Sequence, residues 1–390
     1  MRGHITKRGK NSYSIAVSLG KDATTNKYKY QWVSVKGTKK DAEKRLSEIL
    51  HQIDNGIFVR PVKLSVKELL EQWLRDYVEC HCTPKTIESY GQLINRHLIP
   101  ELGNIRLVEL EARHLQAMYA RKKASGLSNR TVRYLYSLMA EALTQAVKQG
   151  ILHRNVALLT EPPRIEHKTV TTLKPEHVSA FCNAAESTPF YCLFYLLLHT
   201  GMRRGEALAL KWKNVDMGLA NLGIQAYLSV TQSLGKVNGN TLIKEPKTGA
   251  GRRRIALSPS LNLVLRQHKK AEEVLRASLG ATLTEEDYVF CHSDGSSYDP
   301  STVSHSFRKV LRRAGLPPMP LHGLRHSHAT MLLEAGIHPR VVMERLGHSS
   351  IRVTLDTYSH VVGGLQEMAA QKLDDFISAK NESISNLLAK

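Results

Sequence analysis

Two stretches, "LHGLRHSHAT" (Leu321–Thr330) and "LGHSSIRVTLDTYSH" (Leu346–His360), decide how this chain is read. The first sets His322 and Arg325 three residues apart, on one face of a helix. The second sets Tyr358 ten residues after His348. The chain has fourteen tyrosines, and a tyrosine in a terminal helix is ordinarily a packing residue, so Tyr358 stands out only if the rest of the sequence supplies partners for it. His322, His326 and His328 also invite a metal. His322 and His326 have the i,i+4 spacing of a zinc helix, but no carboxylate lies between them, and no metal is expected.

Partners for Tyr358 lie upstream. "HTGMRRGEALAL" (His199–Leu210) puts Arg203 at a helix start after the Thr200-Gly201 turn, and "EPKTGAGRRR" (Glu245–Arg254) offers Lys247 beside a hairpin turn at Gly249 and Gly251. Taken singly, each motif has a plain reading: Arg203 pairs with Glu206, and Lys247 is one more solvated lysine, with Lys244 a rival for any special role. Together they fit one reaction. A phosphodiester under attack builds charge on its non-bridging oxygens, which Arg203 and Arg325 can grip bidentately. His322 and His348 can donate hydrogen bonds or carry a proton, Lys247 can protonate the departing oxygen, and Tyr358 is the nucleophile. A free phenol with a pKa of about 10 attacks poorly at neutral pH, so it needs such surroundings.

The formal net charge of +20 over 390 residues points to a polyanionic partner. Nucleic acid fits better than a membrane, since the longest apolar run, Phe190–Leu198, is nine residues and too short to span a bilayer. The opening Met1-Arg2-Gly3-His4 has no signal-peptide core, and five scattered cysteines form no disulfide framework; a cytoplasmic, nucleoid-associated protein is expected. Cys80-His81-Cys82 lacks a second ligand pair at finger spacing.

The chain divides into modules. Residues 1–63 hold fourteen Lys/Arg against five Asp/Glu. Within them Tyr13, Ile15, Val17 and Leu19, then Tyr28, Tyr30 and Trp32, alternate as strands, and Thr38 caps a helix ended by Gly56. A small three-stranded sheet backed by one helix could enter a major groove. Residues 64–160 read as a helical bundle: Thr83-Pro84 opens one helix, with Ile87, Tyr90, Leu93, Ile94 and Leu98 on its apolar stripe, and Ser128 caps another that runs to Gly150. A proline-bearing linker covers 161–173. Residues 174–362 are α-rich with a small β-hairpin or sheet around Leu222–Val230 and Arg253–Leu257, and 363–390 is a tail helix with Leu365, Met368, Leu373, Phe376 and Ile377 on one face. The fold class is thus multidomain and mostly α. Expected DNA contacts are Lys7, Arg8, Lys10, Lys27, Lys29, Lys85, Arg130, Arg133, Arg252 and Arg253.

The ordered set Arg203, Lys247, His322-x-x-Arg325, His348 and Tyr358 resembles the tyrosine recombinases of the phage-integrase family, and the resemblance covers residues 170–362 by motif. The first module resembles the arm-type DNA-binding domain of integrases from temperate phages and conjugative transposons, and residues 64–160 resemble their core-binding domain. The resemblance implies a site-specific recombinase that integrates and excises a mobile element through a 3′-phosphotyrosyl intermediate and a Holliday junction. It implies a homo-tetramer on core and arm DNA, a tail docking on a neighbouring protomer, a small excisionase and a host DNA-bending protein as partners, and no metal or nucleotide cofactor. Glu206 and Asp216 match acidic family positions and are expected to orient Arg203. The ten-residue step from His348 to Tyr358 is one longer than in some relatives, a small loop change. The alternative, from another functional class, is a DNA-binding regulator that kept the fold and lost the chemistry; a metal-dependent nuclease would need clustered carboxylates near these motifs.

Overall fold

A computed structural model describes residues 3–21, 26, 28–54, 63–165, 171–219, 223–246, 249–358, 370–371, 373–375 and 377–378. The chain forms two compact units, Met1–His167 and Lys168–Lys390.

In the first unit, β1 (Gly3–Gly9), β2 (Ser12–Lys21) and β3 (Tyr28–Lys36) make an antiparallel sheet in that order. Register sets Ile15 opposite both Ile5 and Val33. Those side chains, with Val17 and Val35, pack on Ala42, Leu46 and Ile49 of α1 (Lys39–Asp54). Thr38 and Asp41 close the start of α1 reciprocally: Thr38 N–H donates to Asp41 Oδ2 at 2.8 Å, and Asp41 N–H donates to Thr38 Oγ1 at 3.3 Å. Alternation correctly marks β3 as a strand, but Val33 and Val35 fill its inner face. Tyr28, Tyr30 and Trp32 therefore point outward, each more than half exposed. Gly56 lies outside the described residues.

The helical part follows as α2 (Val66–Trp73), a π-turn (Leu74–Val78), α3 (Glu79–His81), α4 (Pro84–Leu93), a second π-turn (Ile94–Leu98), α5 (Ile99–Leu102), α6 (Ala112–Ala124) and α7 (Asn129–Lys148). Ser65 and Glu68 form a capping box at α2, and Ser128 Oγ accepts from Thr131 N–H at α7. Leu70, Ile94, Leu98, Leu115, Val132, Leu135 and Met139 form its core.

The second unit contains α8 (Val178–Glu186), α9 (Tyr191–Thr200), α10 (Arg204–Leu208), β4 (Val215–Asp216), β5 (Tyr227–Val230), β6 (Ser233–Val237), β7 (Asn240–Lys244), β8 (Arg253–Ala256), α11 (Pro259–Ser278), α12 (Pro300–Arg313), α13 (Gly323–Glu334), α14 (Pro339–Leu346) and α15 (Ile351–Tyr358). The apolar run Phe190–Leu198 becomes α9, a central helix that is apolar because it is buried. Phe194 and Phe181 meet Phe307 of α12 edge-on at centroid distances of 5.6 and 5.7 Å. Strands β4, β5 and β8 form one sheet, and β6 and β7 form a hairpin. That hairpin turns at Asn238-Gly239, with φ of 48° and 82°, not at Gly249 and Gly251. Asn-Gly is the pair that accepts positive φ at both positions, whereas residues 249–251 make a 3-10 turn leading into β8. The chain is thus mostly helical with small antiparallel sheets, as the sequence implies. Among the described residues no helix is long and apolar enough to cross a membrane.

Candidate active site

The site is built around two helix ends. Helix α9 finishes at Gly201 (φ 64°) and α14 at Gly347 (φ 67°), both left-handed caps. A Cβ at Gly201 would lie 2.6 Å from Leu346 Cδ2 and 2.7 Å from His328 Cδ2, and one at Gly347 would lie 2.8 Å from the Ala250 carbonyl oxygen. The last carbonyls of any helix lack intrahelical partners and carry partial negative charge. Here side chains from other elements satisfy them. Arg325 of α13 donates from one Nη to Gly201 O and from the other to Leu346 O, each at 2.8 Å. Arg345 donates to His199 O at 3.0 Å, and Arg253 Nε donates to Arg345 O at 2.7 Å. His328 Nδ1 donates to Leu198 O at 2.8 Å, which leaves its Nε2 to accept from Arg345 Nε at 3.1 Å. Burial, with Arg345 beside it, pushes the His328 imidazole down to about 3, so it is neutral there.

Arg203 stands at the start of α10 with its side chain 44% exposed. Glu206, one turn on and only 4% exposed, fixes it: Oε1 accepts from Arg203 Nη1 at 2.7 Å and Oε2 from Arg203 N–H at 2.9 Å. Oε2 also accepts from Arg253 at 2.8 Å. Burial alone would raise the Glu206 carboxyl, but Arg253 and then Arg203 outweigh it and hold the group below the usual carboxylate range. Arg325 is deeper, 3% exposed.

His322 occupies the position just before α13 and His348 follows Gly347. Desolvation leads in pushing both imidazoles down to about 4. For His322 the charges of His326, Arg325 and Arg203 add to it; for His348 those of Arg325, Arg203 and Arg253 do. Arg203 and Arg325 thus act on both rings, and both rings are neutral at physiological pH. His348 Nδ1 lies 2.9 Å from Oγ1 of Thr354, a fully buried residue of α15. The structure brings together Arg203, Glu206, His322, Arg325 and His348 from three segments of the chain. An array of fixed cations beside neutral imidazoles suits an anionic group that must gain charge and exchange protons.

Other expected residues fall elsewhere. Lys247 lies outside the described residues. Tyr358 is the last residue of α15, placed by its backbone alone. Asp216 does not orient Arg203: it is exposed at the end of β4, where its Oδ1 accepts from Gly218 N–H at 2.9 Å and closes its own turn. Arg253 does not present itself to DNA. Its side chain is 6% exposed and its donors are spent on Glu206 and carbonyls. Arg252 is exposed and paired with Glu245. Lys7, Arg8, Lys10, Lys85, Arg130 and Arg133 are exposed, Lys85 next to Glu88; Lys27 and the Lys29 side chain lie outside the described residues. In the tail, Leu373 and Ile377 are exposed on helical backbone, while Leu365, Met368 and Phe376 lie outside. Sequence reasoning weighs His328 only as a metal ligand and does not reach its pairing with Arg345, nor Thr354. The first two pair across separate helices and leave no local signal, whereas Thr354 sits one helical turn before Tyr358.

Known proteins complete the description. The profile of the phage integrase family matches residues 171–363, and that of the phage integrase N-terminal SAM-like domain matches residues 65–123. A tyrosine recombinase XerC-like protein of Caldanaerobacter subterraneus is 28% identical over 385 residues, covering 95% of this chain and 98% of that protein. The ICEBs1 integrase of Bacillus subtilis is 25% identical, covering 96% of this chain and 100% of its own length. Among solved structures, the Tn1549 transposon integrase in complex with transposon right end DNA superposes with a TM-score of 0.66 at 20% identity, over 79% of this chain and 98% of that one. A lambda integrase tetramer bound to a Holliday junction gives 0.60 at 18% identity, over 91% and 94%. This chain belongs to the phage integrase family of tyrosine recombinases, the DNA strand-breaking and rejoining enzymes of mobile elements.

Proposed function

We propose that the protein integrates and excises a mobile element with Tyr358 as nucleophile. The phenol oxygen attacks the scissile phosphorus, the P–O5′ bond breaks, and the phosphate stays on the 3′ side as a phosphotyrosine. The phenol proton passes to a neutral imidazole, His322 or His348, and Lys247 protonates the departing 5′ oxygen. Arg203, the more open guanidinium, meets the phosphate directly, and Arg325 adds positive charge from beneath. A 5′ hydroxyl from the partner duplex then attacks the phosphotyrosine and reverses the step.

The observation that carries this reading is the convergence of Arg203 and Arg325 on two neutral histidines, one of them tied to the helix that holds Tyr358. Around that centre we assign residues 1–63 to arm sites, 64–160 to the core site, 161–173 to the linker, 174–362 to catalysis and 363–390 to a neighbouring protomer. Lys7, Arg8, Lys10, Lys85, Arg130, Arg133 and Arg252, all exposed, are suited to phosphate contacts. Assembly is a tetramer on two duplexes, placed on the nucleoid, with an excisionase and a host bending protein setting direction. The test is incubation with a nicked core-site duplex in EDTA. The wild-type protein should accumulate a 3′-phosphotyrosyl adduct, and Tyr358→Phe should bind the DNA yet give none. An adduct on that variant would move the nucleophile elsewhere.

A further inference from the structure

A buried hydroxyl is expected to hydrogen-bond, and the Oγ1 of Thr354 does so with His348 Nδ1 at 2.9 Å. Two things about this contact exceed ordinary packing. First, Thr354 is fully buried, whereas Ile351, Arg352 and Leu355 are exposed. Among the described side chains of α15, the helix that carries position 358, Thr354 is thus the one seated fully inside the protein. Positions 354 and 358 are four apart and share a helix face, so fixing the first sets the rotation of the helix at the second. Second, the backbone under His348 is already fixed, because its N–H donates to Met343 O at 3.1 Å and Gly347 N–H donates to Glu344 O at 3.0 Å. What remains free is the ring. A neutral imidazole has one donor and one acceptor nitrogen, so the role Nδ1 takes toward the hydroxyl assigns the opposite role to Nε2.

We infer that Thr354 is a positioning residue that couples seating of the nucleophile helix to the ring orientation of His348, leaving Nε2 as the working nitrogen. This rests on the proposed function, since it acts on a step carried out by Tyr358 and His348. The coupling runs both ways: a helix displaced from its seat withdraws the hydroxyl, and the imidazole is then free to flip. A valine would fill the same space and keep the helix apolar contact without holding the ring.

The test uses the full chain and the nicked duplex under single-turnover conditions. Thr354→Val should slow adduct formation about 10- to 100-fold, the scale of one hydrogen bond to a group that gains charge when it takes the phenol proton. Thr354→Ser keeps the hydroxyl and should recover the rate to within about threefold, with DNA affinity unchanged in both variants. In a His348→Ala background the valine should add less than about threefold, because its effect travels through the missing ring. A valine variant at the wild-type rate, a serine variant as slow as valine, or a fully additive loss in the His348→Ala background would each overturn the inference. The nitrogen-15 spectrum of labelled histidines gives a readout independent of turnover: His348 should hold one tautomer in the wild type and a mixture in Thr354→Val, and unchanged spectra would also overturn it. Absence of any adduct from the wild type would instead overturn the proposed function, and the histidine spectrum would still decide the Thr354 contact.

Discussion

Replacing Arg253 with methionine tests how the site is held together. The side chains of Arg253 and Glu206 are 6% and 4% exposed, and the guanidinium donates to Glu206 Oε2, Arg345 O and Gly251 O. Methionine keeps much of the volume and removes the charge. The carboxylate then stays buried with Arg203 as its remaining cation, and Arg203 is 44% exposed, so solvent screens that contact. Breaking a buried pair from one side costs about 3–5 kcal/mol, which for a unit of this size lowers the melting temperature by about 6–20 °C. The loss should depend on pH with a definite sign. In the wild type the carboxyl is held low, so its stabilisation is present above the free-glutamate range and fades as pH falls through the folded value. In the variant burial meets weaker opposition, the carboxyl rises, and protonation relieves it. The deficit should therefore be largest near pH 8 and smaller near pH 5, and Glu206→Gln in the same background should recover part of it. Calorimetry of the full chain, following the transition of the second unit, measures both. A drop below about 1 kcal/mol, or an equal deficit at both pH values, would refute a buried and charged Glu206–Arg253 pair.

Gly347→Ala should destabilise the second unit by about 1–3 kcal/mol, because alanine must adopt a left-handed conformation against the Ala250 carbonyl; urea melts check this. His328 and His348 have imidazoles held well below the free value of 6.5, so stability should be lost as pH falls from about 6.5 toward 4, measured as the chemical midpoint across that range. Trp32→Ala should leave thermal stability within about 0.5 kcal/mol, since the indole is 56% exposed, while weakening binding to arm-site DNA; a large stability loss would place Trp32 in the core. Affinity for core DNA should fall steeply with added salt, measured as the slope of log K against log salt; a flat slope would remove the assignment of Arg130 and Arg133 to phosphates.

Much of this was legible in the sequence because it is local. Caps such as Ser128 and Thr38, the run Phe190–Leu198 and the His322-x-x-Arg325 spacing each fit within about three helical turns. What was not legible depends on partners distant in the chain. Nothing near Arg253 shows that Glu206, 47 residues earlier, would bury its guanidinium. The alternation of Tyr28, Tyr30 and Trp32 announces a strand without its phase, which Val33 settles by pairing with Ile15. Asn238-Gly239 is itself a readable hairpin signal, whereas Gly249 and Gly251 serve to lead the chain into β8. Asp216 fits the acidic pattern around Arg203, yet the neighbouring left-handed Gly218 draws its carboxylate into a turn.

The two-armed grip of Arg325 has a consequence for how its variants are to be interpreted. Its two terminal nitrogens clasp Gly201 O and Leu346 O, joining segments that lie more than a hundred residues apart. Lysine offers one nitrogen and can serve one of those oxygens at a time; alanine serves neither. Under the proposed mechanism, a slow alanine variant would combine missing charge at the phosphate with a scaffold whose seam has opened, whereas a slow lysine variant, which keeps the charge, would report the seam and the lost second donor; a companion measurement of unfolding separates the contributions. On the proposed mechanism the same residue is rivet and tool.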